Sequence, residues 1–209
     1  IPKSVTKIDT WAFSDCSGLT SIVVANENSR YDSRDNCNAI MSKGNTLLAG
    51  CKNTIIPNNT VRIGTGAFDG CTGLTEIIIP ESVAKIEDFA FSGCSGISEL
   101  IIPKSVTNIG WAAFKDCTRL KKVEFSEGLT VIADLSFSGC ESLEYVDIPQ
   151  NAKSIGADAV RIWSSTCRKA CQVGRFSCVV VWIKNIIEIC TFRNQSFKPL
   201  ISKLIHKHI

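Results

Sequence analysis

The chain has 209 residues, of which 44% are hydrophobic and 21% are charged, a composition typical of a folded protein. No stretch reaches about 18 uninterrupted apolar residues, which argues against a membrane span. The net charge of +3 combines an acidic part, residues 1–159, with 14 Lys/Arg against 19 Asp/Glu, and a basic part, residues 160–209, with 9 against 1. Because the acidic part has no basic stripe, we do not expect it to bind nucleic acid.

A 23-residue unit recurs along residues 1–159. Three residue types keep its period: Pro57, Pro80 and Pro103; Phe68, Phe91, Phe114 and Phe137; Cys71, Cys94, Cys117 and Cys140. Repeats of about 20–29 residues rich in Leu and Ile predict a solenoid, in which each unit packs on its neighbours. The units begin at Pro2, Pro57, Pro80, Pro103, Ser126 and, incompletely, Pro149.

Residues 25–56 interrupt this period, and we interpret them as a longer unit with a polar insertion rather than as a separate domain. Two hypotheses account for Asp32, Asp35, Asn36 and Asn38 in this insertion: a calcium site, or Asx turns. The spacing lacks the glycine and the glutamate of an EF-hand loop, which favours Asx turns.

The unit that begins at Pro80 shows the predicted elements in chain order. Ser82–Ile86 is a short extended piece, and Glu87–Ser92 is a single helical turn that Gly93 ends. Leu100–Ile102 is a strand, since bulky and β-branched side chains suit a pleated, half-buried surface. Stacked units are therefore expected to form a right-handed solenoid with a parallel β ladder, in which Leu100 and Ile102 face the core.

Eleven cysteines would by their number suggest disulfides or metal sites. Five of them occupy one slot of the repeat, three residues after the phenylalanine: Cys16, Cys71, Cys94, Cys117 and Cys140. Equivalent core positions favour free thiols that behave as small hydrophobic groups. An occasional disulfide between neighbouring units is compatible with this slot, but it is not required.

The pattern Ile-x-x-x-Ala-Phe-x-x-Cys-x-x-Leu-x-x-Leu-x-Ile-Pro, seen from Ile86 to Pro103 with Ile97 in the first Leu position, resembles the BspA-like (Treponema pallidum-type) leucine-rich repeats. The resemblance covers residues 1–159. It implies a non-enzymatic protein at the cell surface or secreted, with its signal on a longer parent protein. It also implies adhesion to a protein or glycan partner, such as host matrix or a microbial surface.

The outward residues of the strand ladder are expected to line the concave face, the usual contact surface of a solenoid. The candidate binding residues are Val23, Glu76, Ile78, Glu99, Ile101, Lys122, Glu124, Tyr145 and Asp147. Val23, Ile78 and Ile101 form an exposed apolar row, which is typical of a protein interface. The alternative interpretation is that these residues only favour strand formation, in a structural spacer or a truncated product without a function of its own.

Catalytic chemistry has little support in the sequence. His206 and His208 are the only histidines and lie at the C-terminus, and no Gly-x-Ser-x-Gly, P-loop or His-Glu-x-x-His motif is present. We therefore predict that the chain is not an enzyme and that it needs no cofactor or metal.

Residues 160–209 break the pattern: Val160, Trp163 and Thr166 stand where the next unit would place Phe, Cys and Leu. The break in the middle of a motif, together with the change in charge, favours an out-of-frame read or a gene rearrangement over an evolved domain. Such a tail leaves the last unit without a cap and prone to fraying. Two other hypotheses for it are a zinc site at its cysteines and a basic segment on a membrane surface.

Overall fold

The computed structural model describes residues 1–143, 145–146 and 148–160. These residues form one 3₁₀ helix, Arg34–Asn36, and a series of short strands. The strands are β1 (Tyr31–Asp32), β2 (Ile40–Ser42), β3 (Thr46–Ala49), β4 (Arg62–Ile63), β5 (Lys85–Ile86), β6 (Glu99–Ile102), β7 (Asn108–Ile109), β8 (Lys122–Phe125), β9 (Val131–Ile132), β10 (Tyr145–Val146) and β11 (Ser154–Ile155). Apart from Val160, the predicted tail lies outside the described residues.

The strands form two sheets that run along the stack of units. The larger sheet has the order β1-β2-β3-β4-β5-β7-β9-β11, and the smaller has the order β6-β8-β10. From β3 onward the pairs are parallel, and from β4 onward the partners are 23 residues apart, as in Ile63, Ile86 and Ile109. This arrangement confirms the predicted leucine-rich-repeat solenoid with a parallel ladder.

The strand predicted at Leu100–Ile102 is present as β6, and the end of the extended piece at Ser82–Ile86 is β5. Along β6 the side chains alternate between exposed and buried, with Leu100 and Ile102 in the core. Each of the units that begin at Pro80, Pro103 and Ser126 therefore supplies one strand to each sheet.

A third wall closes each lap of the solenoid, and we call it the turn wall. It consists of residues 9–15, 64–70, 87–93, 110–116, 133–139 and 156–160. Glu87–Ser92, where the sequence predicts a helical turn, forms successive turns instead: Ala90 N–H donates to Glu87 C=O and Ser92 N–H to Phe89 C=O. The N–H groups of Phe89, Phe91 and Gly93 donate to carbonyls of the next unit, at 2.7–2.9 Å.

Left-handed backbone at two positions per unit explains why a helix does not form. These positions lie two residues before and two residues after the repeated phenylalanine slot, with φ between 51° and 77°; they are Trp11, Gly66, Phe89, Ala112, Leu135 and Asp158, and Asp15, Gly70, Gly93, Asp116 and Gly139. Left-handed residues four positions apart interrupt helical hydrogen bonding, and every second N–H between them donates to the next unit. A non-glycine residue in this conformation costs about 1–2 kcal/mol, which the hydrogen bonds between units must offset.

The core is a column of identical rings. Phe68, Phe91, Phe114 and Phe137 are buried and stack face to face, with centroids 4.9, 5.1 and 5.1 Å apart and interplanar angles of 3–8°. Truncation of one of these rings to alanine is expected to cost about 3–5 kcal/mol, because it leaves a cavity in the column. Val160 continues the column: it is buried and forms an isolated bridge with Phe137.

Four of the five predicted core cysteines are buried. The thiols of Cys94, Cys117 and Cys140 each donate to the carbonyl of the phenylalanine 26 residues earlier, at 3.1–3.2 Å. All seven cysteines of the described residues are free thiols. Burial raises the pKa of Cys71 to about 11 and that of Cys94 well above its usual range.

The prediction is wrong for Cys16, whose side chain is exposed. Within this chain the first unit packs against neighbours on one side only, and its Phe13 and Leu19 are likewise only half-buried. Ile22 and Val24 join a second, smaller core cluster with Ala49. The slot is therefore a core position only where units lie on both sides of it.

The irregular stretch, residues 25–56, contributes three antiparallel-paired strands, β1, β2 and β3, to one end of the larger sheet. Asn28 joins it to the first unit: its buried amide donates to Pro2 C=O and Val5 C=O, and its carbonyl accepts from Tyr31 N–H. Polar residues of the stretch thus stabilise the junction between units.

The close approach of neighbouring units predicts how much a glycine-to-alanine substitution lowers the free energy of unfolding. A Cβ on Gly96 would lie 2.5 Å from the carbonyl oxygens of Thr72 and Leu74, whereas a Cβ on Gly18, in the same slot of the first unit, would meet nothing within 4 Å. We expect Gly96→Ala to lower the free energy of unfolding by about 1–3 kcal/mol and Gly18→Ala to change it by less than about 0.5 kcal/mol. Urea unfolding measures both, and equal midpoints would contradict the inter-unit contact.

Thiol chemistry provides a second prediction. In the native protein an alkylating reagent should modify Cys16 and spare Cys94 and Cys117, as read by peptide mass mapping, until denaturant is added. Because the folded pKa of Cys94 is raised, its thiol stays protonated above pH 9, where the unfolded chain loses that proton. The free energy of unfolding should therefore fall as the pH rises above about 9. Modification of Cys94 and Cys16 at equal rates would show that the cysteine column is open.

Candidate binding surface

The outward face of the smaller sheet presents four of the residues that the sequence proposes for binding: Glu99, Ile101, Lys122 and Glu124. The parallel register aligns Glu99 with Lys122 and Tyr145, and Ile101 with Glu124. Leu100, between Glu99 and Ile101 on β6, and Val123, between Lys122 and Glu124 on β8, are buried, so the residues on either side of them face outward.

An aliphatic row crosses this face and its continuation toward the N-terminus. Its side chains remain largely exposed: 68% for Val23, 72% for Ile55, 85% for Ile78 and 63% for Ile101. Successive members occupy the same slot of four consecutive units, one residue before an inward-facing side chain. We call these four residues the aliphatic row.

Ile55 is absent from the predicted binding residues, because residues 25–56 interrupt the 23-residue period. The signal is nevertheless present: Ile55-Ile56-Pro57 stands 23 residues before Ile78-Ile79-Pro80. The structure buries Ile56 and exposes Ile55, as in the following unit. The apolar surface is therefore one unit longer than the sequence predicts.

The aliphatic row ends at the next unit, where the charged Glu124 occupies the slot that Ile101 fills. Glu124 is exposed and forms an ion pair with Lys122 on the same strand. Such a surface pair contributes only about 0–1 kcal/mol to stability. The backbone of Tyr145 lies in β10 beside Lys122, and Asp147 lies outside the described residues.

Glu76 and Glu99 border the aliphatic row. Both are exposed and each lies two residues before a member of the row, so the carboxylates follow one flank of the apolar surface. The row and this flank offer a partner apolar area next to negative charge.

In the polar insertion, Asp32 forms hydrogen bonds with basic residues of the same stretch. Asp32 accepts from Arg34 Nε at 2.7 Å and Nη2 at 2.9 Å, and from Lys43 Nζ at 3.1 Å. Burial acts to raise the pKa of Asp32, but the hydrogen bonds from Arg34 and Lys43 outweigh it and hold the pKa below its usual value. Arg34 N–H also donates to Asp32, the contact of an Asx turn.

Two further properties concern the part of the chain that the structure describes. It contains no group of three or more His, Cys, Asp or Glu side chains placed to hold a metal ion. None of its helices is long and apolar enough to cross a membrane.

The fold and its repeated slots define a protein of the leucine-rich-repeat class. The chain belongs to the family of the BspA-type leucine-rich repeat region, since residues 1–40 and 45–164 match six copies of that repeat. A comparison with curated protein sequences finds no significant match.

Solved structures show the same fold. A leucine-rich cell surface protein from Faecalibacterium prausnitzii A2-165 is 26% identical, with a TM-score of 0.58 over 76% of this chain and 46% of that one. A leucine-rich repeat protein from Bacteroides ovatus ATCC 8483 is 28% identical, with a TM-score of 0.51 over 69% of this chain and 35% of that one. The pneumococcal vaccine antigen PcpA is 21% identical, with a TM-score of 0.51 over 77% of this chain and 35% of that one.

The chain spans about half the length of the Faecalibacterium protein and about a third of the other two. Of these three, the Faecalibacterium protein is described as a cell surface protein. The similarity extends over the solenoid and does not identify a partner.

Proposed function

We propose that this chain is a non-enzymatic recognition module of a cell-surface or secreted protein, and that it binds a protein or glycan partner through the outward face of the smaller sheet. The observation that carries the proposal is the aliphatic row, with four side chains 63–85% exposed in one slot of four consecutive units. Contiguous exposed apolar surface is typical of protein interfaces, because water leaves it favourably when a partner covers it.

Strand formation alone does not account for the row. β-branched side chains favour strands, which explains Ile101 in the middle of β6. Ile55 and Ile78, however, lie outside the assigned strands and are the two most exposed members. Burial in the core does not explain them either, which supports contact with a partner.

The surrounding polar residues support specificity rather than bulk adhesion. Glu76 and Glu99 flank the apolar surface, while Lys122 and Glu124 end it. An apolar centre with a charged border is the usual composition of a specific protein interface. The cell-surface location is supported by the Faecalibacterium protein, which is described as a cell surface protein.

Replacement of two row members tests the proposal. The chain is immobilised and probed by surface plasmon resonance with purified extracellular matrix proteins and with bacterial cells. For a partner that binds, the double variant Ile78→Ser, Ile101→Ser should weaken binding about tenfold or more, since truncation of a hot-spot residue costs about 2 kcal/mol or more and about 1.4 kcal/mol corresponds to tenfold. Both side chains are exposed, so the unfolding midpoint should change little.

Val61→Ser is the matched control, because Val61 is also an exposed aliphatic residue but lies next to β4 in the larger sheet. It should bind as the unaltered chain does. If the double variant also binds normally, the smaller sheet is not the recognition face. If the unaltered chain binds none of the probes, a structural spacer is the better interpretation.

A further inference from the structure

A second exposed apolar surface lies on the turn wall, away from the aliphatic row, and consists of aromatic rings. The indoles of Trp11 and Trp111 are 43% and 41% exposed and flank the half-buried Phe89. The ring centroids are 4.9 Å apart for Trp11 and Phe89, and 4.6 Å for Phe89 and Trp111, with edge-to-face angles of 75° and 77°. We call these three residues the aromatic ridge.

The fold holds the ridge in place. The backbone N–H of Trp111 donates to Asp88 Oδ1 at 2.8 Å, and the backbone C=O of Trp111 accepts from Phe89 N–H at 2.9 Å. Trp11 lies directly on the backbone of Gly66, where an added Cβ would be only 2.7 Å from the indole. A preformed surface loses little conformational entropy when a partner binds.

The turn geometry does not require aromatic residues at these positions. Trp11 and Phe89 occupy the left-handed slot, with φ of 72° and 54°, that Gly66 fills in the unit between them. Glycine adopts this conformation without the steric cost that a bulky side chain bears. Later units carry Ala112, Leu135 and Asp158 in this slot, so the fold accepts side chains of several kinds there and does not select for a ring.

The wall around the ridge is strongly acidic. Its six segments contain eight Asp or Glu residues and one basic residue, Lys115, so this wall alone has a greater negative charge than residues 1–159 as a whole. Asp9 and Glu87 line a cavity of about 140 Å³ together with Trp11. A cationic partner is therefore attracted to the ridge, whereas nucleic acid is repelled.

The ion pairs that Asp9 and Glu87 already form are weak enough for a cationic partner to replace. Lys7 lies 2.8 Å from Asp9, and Arg62 Nη1 lies 3.9 Å from Glu87 Oε1. The basic side chains of both pairs are more than half exposed, so each pair contributes little and is readily exchanged for another cation.

We propose that the aromatic ridge docks an arginine- or lysine-bearing segment of a partner protein. The cation lies against the exposed indoles of Trp11 or Trp111, where the ring quadrupole attracts it. A guanidinium also stacks on aromatic faces and donates to carboxylates such as Glu87. This surface is separate from the aliphatic row and goes beyond the function proposed for it.

Titration calorimetry of the full chain with a short oligoarginine peptide tests the proposal, with an oligoglutamate peptide of equal length as the negative probe. Oligoarginine should bind, and Trp111→Leu should weaken that binding about three- to thirtyfold, the range of a cation–π contact. Trp111→Phe should retain most of the oligoarginine binding, since it keeps an aromatic ring at the same position. Raising the salt concentration should weaken the binding further, because exposed carboxylates contribute.

Ile78→Ser is the matched control: it removes apolar surface from the aliphatic row and should leave oligoarginine binding unchanged. The two variants also separate the two surfaces. The proposed function predicts that Ile78→Ser weakens binding of the partner of the aliphatic row and that Trp111→Leu does not. Unfolding midpoints equal to that of the unaltered chain verify the fold of each variant. Oligoarginine binding that is absent, or equal in Trp111→Leu, overturns the proposal.

Discussion

Hydrogen bonds from each unit to the next are the interaction on which the rest of this structure depends. On the turn wall Phe89, Phe91 and Gly93 each donate across the interface to the residue 22 positions ahead, and the two sheets repeat the arrangement with partners 23 apart. These bonds fix the spacing between units at the stacking distance of rings, which places Phe91 on Phe114 with centroids 5.1 Å apart. The core column follows from the backbone as much as from the apolar side chains.

The left-handed positions of the turn wall are the cost of this arrangement. A helical turn would direct its N–H groups along its own axis rather than toward the carbonyls of the next unit. By adopting φ near 54° at Phe89 and near 68° at Gly93, the chain turns alternate peptide groups outward along the stack. Local strain is thus exchanged for hydrogen bonds between units, and the exchange is favourable only when a neighbouring unit is present.

Much of the fold is predictable from the sequence because the inward slots repeat. The positions of β6, the phenylalanine column and four buried cysteines all follow from the 23-residue period and from the alternation of side chains in a strand. The conformation of Glu87–Ser92 does not follow, since a helical turn and this chain of turns share the same local sequence preferences. Cys16 differs for a related reason: its slot is typical of the core, but the packing that buries such a slot comes from units on both sides.

The candidate surface was predictable in part. Outward positions on β6 and β8 follow from strand alternation, whereas Ile55 is missed because the insertion hides its place in the period. Trp11, Phe89 and Trp111 are not recognisable as one surface in the sequence, because Trp111 stands one slot earlier in its unit than the other two. Only the close packing of Trp11 on Gly66 and of Phe89 beside Trp111 brings the three rings together.

Comparison of the slots within this one chain separates scaffold from recognition. The inward slot at the centre of the core holds the same ring, from Phe68 to Phe137, since its neighbours above and below are themselves rings. The outward slots have no such neighbour to match, and they vary: Ile101 is followed by Glu124, and Gly66 by Phe89. The hydrogen bonds that hold the units together involve backbone groups, so they persist whichever side chain faces outward. A solenoid of this kind can therefore change its binding surface one unit at a time without loss of the fold.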